Sequence, residues 1–305
     1  MKTLTSFLKG LFLILLSSIL VFTVSRMMPI SPQQMLLSSY QLEQTPENIA
    51  MLSEKWGLDK PLYIQYFSWM KGIIRGDWGV SLISHRPIKE ELMKRLPYSL
   101  SIGMGSLLLS SIFAFFLGYL AALKKGFFDG LSRFFTLFSQ AVPLFVSSLF
   151  VIYFLGVKFG WIRFFTGSPW VGVIISILLI SLSTCGGLSR VVRMHFLELE
   201  NKSYMKRLYA HGMKKSLIYL KHGFKPVLYG LSGALIPRFS SVLGGSSVAE
   251  FIFGIPGISF FLIDSIKNRD YAAIQSYLFL IMVWMSVIHF IFRILQSRID
   301  KRVES

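Results

Sequence analysis

The sequence contains little of what metalloenzymes, hydrolases and disulfide-bonded proteins are built from. Its 305 residues include a single cysteine, Cys185, so no disulfide can form within one chain. The five histidines are dispersed, and none occurs in an HExxH pattern or beside the cysteine at the spacing of a zinc site. There is no phosphate-binding P-loop and no GxSxG nucleophile turn. We therefore expect no catalytic residue, no metal site and no ATPase site on this chain.

Charged residues are also scarce, since they make up 15% of the chain while apolar residues make up 53%. Six stretches are nearly free of charge, and each has about the 20 residues that a helix needs to cross a bilayer. They cover residues 10–28, 98–123, 134–157, 164–189, 226–249 and 272–292. The pattern predicts an all-α polytopic membrane protein with six transmembrane helices, the first of them retained rather than cleaved as a signal peptide.

Acidic residues are few, with 15 Asp and Glu against 32 Lys and Arg and a formal net charge of +17. If the N-terminus lies inside, the predicted cytoplasmic segments hold eighteen Lys and Arg. The segment 29–97 then lies outside and holds eight Lys and Arg against seven acids. Cytoplasmic loops of membrane proteins carry such an excess of basic residues. The charge therefore predicts that both termini are cytoplasmic, and it requires no nucleic acid as a partner.

The predicted spans divide the chain into four parts. These are an N-terminal transmembrane helix (1–28), an extracellular segment (29–97), a five-helix core (98–295) and a cytoplasmic tail (296–305). Helix-start and turn signals predict two short helices in the extracellular segment, over 47–56 and 62–74. Glycine and proline interrupt the apolar run 251–263, where we expect a turn and a short interfacial helix.

The loop between the fourth and fifth spans, residues 190–225, is far longer than a connection requires. It carries nine Lys and Arg against two acids, Glu198 and Glu200. Its apolar residues recur at steps of three and four, the period of one helix face. They are Met205, Leu208, Tyr209, Met213, Leu217 and Leu220. This pattern predicts a short amphipathic helix that is presented to a cytoplasmic partner.

The fifth span, 226–249, is rich in Gly and Ser and is expected to be interrupted at Pro237 and Arg238. Small residues allow helices to pack closely in lipid, which is one interpretation. The other is a helix that lines a polar pathway, because an arginine inside a membrane is costly and usually functional. On the second interpretation the candidate pathway residues are Arg238, Ser241 and Glu250. For Glu250, a cap or an ion pair at the outer interface is the alternative.

Three blocks of residues have a distinctive spacing. The first is Tyr204 to Gly212 with Ala210 and His211, followed by His222. The second comprises Gly244, Gly245, Glu250, Phe253, Pro256, Gly257, the run 268–271, Ile274 and Gln275. The third comprises the run 57–62, Gln65, Tyr66, Trp69, the run 76–79, Ser81, Arg86, Pro87 and the run 95–97. Together they resemble the permease subunits of ATP-driven (ABC) importers for dipeptides, oligopeptides and nickel, over nearly the whole chain.

The chain departs from that family pattern at a few positions. Leu208 stands where the family has a small alanine, Pro226 replaces an asparagine, Gly223 replaces an alanine, and Lys301 replaces a proline. A leucine in place of alanine adds three carbons at a helix contact, which would require a matching change in the partner.

The resemblance implies a type I ABC importer (MetI-like) transmembrane domain in a bacterial cytoplasmic membrane, with the extracellular segment between helices 1 and 2. It implies a second homologous permease subunit, two cytoplasmic ATPase subunits and an extracellular or periplasmic substrate-binding protein as partners, alongside membrane lipid. The chain would bind no cofactor, since ATP and Mg would bind to the ATPase subunits. It would form half of the translocation pathway for short peptides or for nickel and metal chelates.

The resemblance also implies that the loop 190–225 contains a coupling helix that docks in a groove of an ATPase subunit. The residues expected in this contact are Tyr204, Arg207, Leu208, Tyr209, Ala210, Gly212 and Lys214. Two other functions remain open on the sequence. One is a self-sufficient secondary transporter or channel for small polar solutes, although neither an inverted repeat nor a series of intramembrane acids supports it. The other is a scaffold whose basic loop binds anionic lipid.

Overall fold

The computed structural model describes residues 2–26, 37, 43, 45–81, 84–124 and 126–300. Within these residues the chain is helical, and the one β-type pairing is an isolated antiparallel bridge between Val80 and Pro87. Parts of the predicted first span and extracellular segment, and tail residues 301–305 with Lys301, lie outside the described residues. The chain separates into two compact units, Met1–Pro97 with Pro256–Ser305, and Tyr98–Ile255.

Thirteen α-helices occur in the described residues. In chain order they are α1 (Lys2–Arg26), α2 (Pro46–Trp56), α3 (Leu62–Arg75), α4 (Ile88–Leu123), α5 (Phe127–Ala141), α6 (Leu144–Val151), α7 (Pro169–Glu200), α8 (Ser203–Ala210), α9 (Lys215–Ile218), α10 (Phe224–Ser240), α11 (Ser247–Ile252), α12 (Ile258–Lys267) and α13 (Tyr271–Asp300). A π-helical segment, Ile152–Lys158, follows α6, and another, Tyr219–Gly223, joins α9 to α10.

In the first unit, α1 packs along α13. The hydroxyl of Ser25 donates to Oε1 of Gln275 across this contact at 3.3 Å. Aromatic side chains attach α3 to both helices, because Tyr66 meets Phe22 with ring centroids 5.5 Å apart and Trp69 meets Phe279 at 5.6 Å. Such edge-on ring pairs add to the stabilisation from burial alone.

The short helices of the first unit lie close to where the sequence predicts them. The hydroxyl of Thr45 accepts a hydrogen bond from the Asn48 amide at 3.3 Å and so caps α2. The short helix expected within 251–263 is α12, which begins after the turn at Gly257. At the start of α13, the buried carboxylate of Asp270 accepts hydrogen bonds from Ser81 Oγ at 2.6 Å and the Ala273 amide at 3.1 Å. This carboxylate therefore ties the segment before α4 to α13.

In the second unit, α7 packs against α5 and against α10. The contact between α7 and α5 includes a buried hydrogen bond between the hydroxyls of Ser132 and Ser189 at 2.7 Å. A cluster of buried apolar side chains lies where α4, α7, α8 and α10 meet, and it includes Phe196, Met205 and Tyr219. This cluster supports the loop that the sequence assigns to a cytoplasmic partner.

Three helices are long and apolar enough to cross a membrane: Ile88–Leu123, Pro169–Glu200 and the Tyr271–Phe292 part of α13. The pair α5 and α6, extended to Lys158, would make a fourth span if it counts as one. The apolar part of α1, Gly10–Arg26, is shorter than these. The described residues thus contain three or four candidate spans, and the prediction of six is not confirmed by helix length and composition.

The predicted span 134–157 is not one straight helix, which corrects the sequence prediction. The chain bends by 96° between α5 and the helix after it. Pro143 cannot donate a backbone hydrogen bond, and a residue before proline is driven out of the helical region. Val142 accordingly has an extended backbone, with φ −111° and ψ 106°.

The predicted fifth span, 226–249, breaks at a different place from the one expected. The helix α10 passes through Pro237 and Arg238 and ends at Ser240, and turns occupy 241–246 before α11. Pro237 removes one backbone hydrogen bond near the end of the helix. The run of Ser and Gly that follows ends it, because glycine loses the most backbone entropy in a helix.

Candidate functional site

The loop between α7 and α10 begins later than predicted, because α7 continues to Glu200. The short helix α8 then covers Ser203–Ala210, and its backbone leaves the helical region at His211. Gly212 follows with φ +78°, in the left-handed region that glycine adopts without strain. Its amide donates to the Tyr209 carbonyl at 2.9 Å, and the Met213 amide donates to the Leu208 carbonyl at 3.3 Å. Gly212 therefore forms the turn that stops α8.

The apolar stripe of the loop divides between the interior and the surface. Met205 is fully buried, and Leu208, Tyr209 and Met213 pack against the same apolar cluster from its edge. Leu217 and Leu220 are half exposed. Of the predicted contact residues, those that remain exposed are Tyr204, Arg207, Ala210, Gly212 and Lys214. The stripe therefore attaches α8 to its own subunit, while a separate, largely polar face is free to meet a partner.

Three side chains outside the predicted set of contact residues hold this loop in place. Tyr219 is fully buried and stacks on Phe196 with ring centroids 4.7 Å apart. Its hydroxyl donates to a carboxylate oxygen of Glu200, and the ammonium of Lys215 pairs with the same oxygen. Lys215 also donates to the Ala122 carbonyl at 3.3 Å. This trio, Glu200, Lys215 and Tyr219, joins the ends of α7 and α4 to the segment that follows α8.

The environment of the trio keeps its tyrosine protonated. Burial, the hydrogen bond to Glu200 and the charge of that carboxylate raise the pKa of Tyr219 far above its ordinary value. Burial and the same carboxylate raise the pKa of Tyr209, and burial raises that of Tyr204. A sequence signal was available, because Glu200 is one of only two acids among nine basic residues in the loop.

A cavity of about 180 Å³ lies within the second unit, where α4, α7 and α10 with the turn after it come together. Its lining comprises Ile102, Gly103, Ser106, Leu107, Ser110, Ile180, Thr184, Arg238, Ser241, Val242, Gly245 and Ser246. At Gly103 the turn comes so close that an added Cβ would lie 2.7 Å from the Val242 carbonyl oxygen. The structure thus brings Arg238 and Ser241 together on the wall of one cavity.

Glu250 is not part of that wall. Its side chain is fully buried, and its Oε1 accepts hydrogen bonds from Ser99 Oγ at 2.7 Å and Ser246 Oγ at 2.6 Å. The carboxylate thereby links α4 to the start of α11 behind the cavity. Sequence reasoning also missed the hydroxyl groups of α4 that line the cavity. Ser106 and Ser110 stand four residues apart, the spacing of one helix face, which is the signal that could have found them.

Among the described residues, no group of three or more His, Cys, Asp or Glu side chains is placed to hold a metal ion. Two of the regions that gather polar side chains are the loop around α8 and the cavity beside Arg238. The first can present a helix to a protein, and the second can receive a small polar solute.

Comparison with known proteins identifies the family of the chain. Residues 114–305 match the family described as "Binding-protein-dependent transport system inner membrane component", and residues 2–103 match its N-terminal domain family. The glutathione transport system permease protein GsiC of Shigella flexneri serotype 5b is 27% identical over 287 residues, which cover 94% of this chain and 93% of that protein. GsiC of Escherichia coli strain K12 gives the same identity and coverage. The chain therefore belongs to the binding-protein-dependent family of ABC importer permeases, which are transport subunits rather than enzymes and work with ATPase subunits supplied by partner chains.

Proposed function

We propose that this chain forms half of the translocation pathway of an ATP-driven importer for short peptides, with nickel and metal chelates as the second substrate class. The other half comes from a second, homologous permease subunit. Two cytoplasmic ATPase subunits bind ATP and Mg, and an extracellular or periplasmic binding protein delivers the solute. The name of the GsiC relatives, which refers to glutathione, supports a peptide-like substrate.

In this proposal the chain crosses a bacterial cytoplasmic membrane six times, and both termini are cytoplasmic. The spans are α1, α4, the bent pair α5 and α6, α7, α10 and α13. The 17 residues of α10 extend about 25 Å at 1.5 Å each, which approaches the thickness of the hydrocarbon core. The division into residues 1–28, 29–97, 98–295 and 296–305 follows from this topology.

The observation that carries the proposal is how α8 is held. Its inner face, with Met205, packs on the apolar cluster, and the trio of Glu200, Lys215 and Tyr219 fixes the segment that follows it. The outer face presents Tyr204 and Arg207. A partner that pushes on this face would move α7 and α10 together, because the trio and the cluster join them. ATPase closure is thereby transmitted to the helices that line the cavity.

The test of this proposal is a change at Gly212. A β-branched residue at φ +78° costs about 1–3 kcal/mol in backbone strain, although its side chain would meet open space. We expect Gly212→Val to reorient α8 and to lower ATP-driven uptake into proteoliposomes that contain the assembled importer. Asparagine adopts the left-handed region more readily, so Gly212→Asn is the matched control and should retain most uptake.

Membrane insertion of both variants, measured by protease protection, should equal that of the wild type. Uptake at the wild-type rate by Gly212→Val would overturn the role of α8. Uptake by the purified chain alone, driven by an ion gradient, would instead support a secondary transporter. Binding to liposomes that requires anionic lipid, with no transport defect on deletion of the gene, would support a scaffold.

A further inference from the structure

The cavity beside α10 contains a positive charge that its surroundings do not neutralise. Arg238 is the one charged residue among those that line it. Among the described residues, the ion pairs involve other side chains, and no carboxylate lies within ion-pair distance of its guanidinium. A cation removed from bulk water is costly unless an anion or hydrogen-bond acceptors compensate it. The arrangement therefore leaves a place for an anion that comes from outside the chain.

Glu250, which accepts a hydrogen bond from the lining residue Ser246, is held away from this role. The Oε1 of Glu250 accepts hydrogen bonds from Ser99 and Ser246, and the side chain is fully buried behind the lining. The carboxylate therefore stabilises the contact between α4 and α11 and adds no negative group to the wall of the cavity. The lining remains positive in character.

The hydroxyl groups of the lining all direct their protons toward the protein. The acceptors are the Gly103 carbonyl for Ser106, the Leu107 carbonyl for Ser110, the Ile180 carbonyl for Thr184, the Arg238 carbonyl for Ser241 and the Glu250 carboxylate for Ser246. A hydroxyl has one proton and two lone pairs, so these oxygens retain acceptor capacity. The cavity thus offers hydroxyl acceptors on its wall and a cationic donor at Arg238.

We propose that Arg238 makes this cavity selective for solutes with a free carboxylate, such as short peptides, over metal cations and positively charged chelates. A guanidinium binds a carboxylate through charged hydrogen bonds, whereas it repels a cation. The amide and ammonium N–H groups of a peptide match the hydroxyl acceptors. This inference rests on the proposed import function, and within it decides between the two substrate classes.

The experiment uses the complete importer, with its binding protein and ATPase subunits, in proteoliposomes. ATP-driven uptake is measured for alanyl-alanine, for its C-terminal amide and for Ni²⁺. We expect the wild type to prefer the free acid, and Arg238→Gln to reduce the ratio of acid to amide uptake by about tenfold, since a hydrogen bond to a charged group is lost. The binding protein is the same in all variants, so its own preference cancels when these ratios are compared.

Two further variants separate selectivity from folding. Arg238→Lys keeps the charge and should retain most of the preference for the free acid. Lys225→Gln removes a basic residue from the exposed start of the same helix and should leave the ratio unchanged. Gel filtration of each assembled complex, together with its basal ATPase rate, shows whether the subunits still associate.

An unchanged ratio in Arg238→Gln, in a complex that still takes up the dipeptide, would overturn the inference and leave the import function standing. ATP-driven uptake of Ni²⁺ without uptake of either peptide would do the same. Absence of ATP-driven uptake for all three probes by the wild-type complex would overturn both this inference and the proposed function.

Discussion

The loop around α8 and the cavity beside α10 each contain a basic side chain in a partly buried setting, yet the two charges are treated in opposite ways. Lys215 pairs with Glu200, which also accepts the hydroxyl of Tyr219. Arg238 has no carboxylate partner among the described residues, although Glu250 lies only twelve positions further along the chain. A charge satisfied within the chain holds local geometry, whereas an unsatisfied one is available to a solute.

Under the proposed function, the difference follows from what each region does. A helix that transmits force to α7 and α10 has to move with them, so its connections are internal and complete. A cavity that binds and releases a solute cannot neutralise its own charge, because a permanent ion pair would compete with the solute. The predictions below test this contrast by removing a side chain that holds the loop or one that holds Glu250 behind the cavity.

The largest effect is expected from Glu200→Ala. It leaves the buried hydroxyl of Tyr219 without its acceptor and Lys215 without its counter-ion, which costs about 2 kcal/mol. The free energy of unfolding in detergent and ATP-driven uptake should both decrease. Glu198→Ala is the control, because that side chain is 59% exposed and, in the described part of the chain, forms an ion pair with His195 alone. Equal stability of the two variants would show that the trio does not hold the loop.

A smaller effect is expected on the stability of the folded protein at alkaline pH. The pKa of Tyr219 is raised in the folded protein, so the folded state keeps this proton at a pH where the unfolded chain loses it. The stabilisation is complete below the ordinary tyrosine pKa of about 10 and decreases by about 1.4 kcal/mol for each pH unit above it. In Tyr219→Phe the decrease measured by thermal unfolding from pH 9 to 11 should be shallower. An unchanged slope in Tyr219→Phe would contradict the prediction.

The smallest effect is expected behind the cavity. Ser99→Ala removes a hydroxyl that donates to Glu250, at a cost of about 1 kcal/mol in the free energy of unfolding. Ser111→Ala, on the same helix, removes a hydroxyl that donates to the Leu107 carbonyl of its own helix, so it should cost less. If the two variants are equally stable, the hydrogen bond from Ser99 does not hold the Glu250 carboxylate in place. The separation of this acid from Arg238 then has another cause.

Much of the helix content could be read from the sequence. The long uncharged stretches 98–123, 164–189 and 272–292 predicted the helices α4, α7 and α13, because apolar runs of this length have few other stable arrangements. Of these helices, α7 begins only at Pro169. The helix boundaries were less accurate, since α4 begins at Ile88 and α7 continues to Glu200, where charged residues hide the end of the periodic pattern. The bend at Pro143 had a local signal, which is the proline itself. The break after Ser240 was predicted at Pro237 instead, three residues too early.

The candidate site could be read only in part. The spacing of Tyr204 and Gly212 marked the loop, but the stripe that suggested a docking face packs largely against its own subunit. The spacing of apolar residues shows which face of a helix is apolar, but it does not show which neighbour covers that face. The trio was missed for a related reason, since Glu200 and Tyr219 are nineteen residues apart and meet only when α7 and the segment after α8 fold together.

The sequence by itself determined that this protein is helical, apolar and basic, and its motifs determined the family, because hydrophobic length, charge asymmetry and residue spacing are properties of the chain. Only the tertiary structure decided which charges are neutralised. Glu250 and Arg238 are both ionisable and close in sequence, and either could have been the partner of the other. The hydroxyls of Ser99 and Ser246 engage the acid instead and leave the arginine in the cavity wall. Pairing depends on which helices come within hydrogen-bond distance, and packing alone sets that distance.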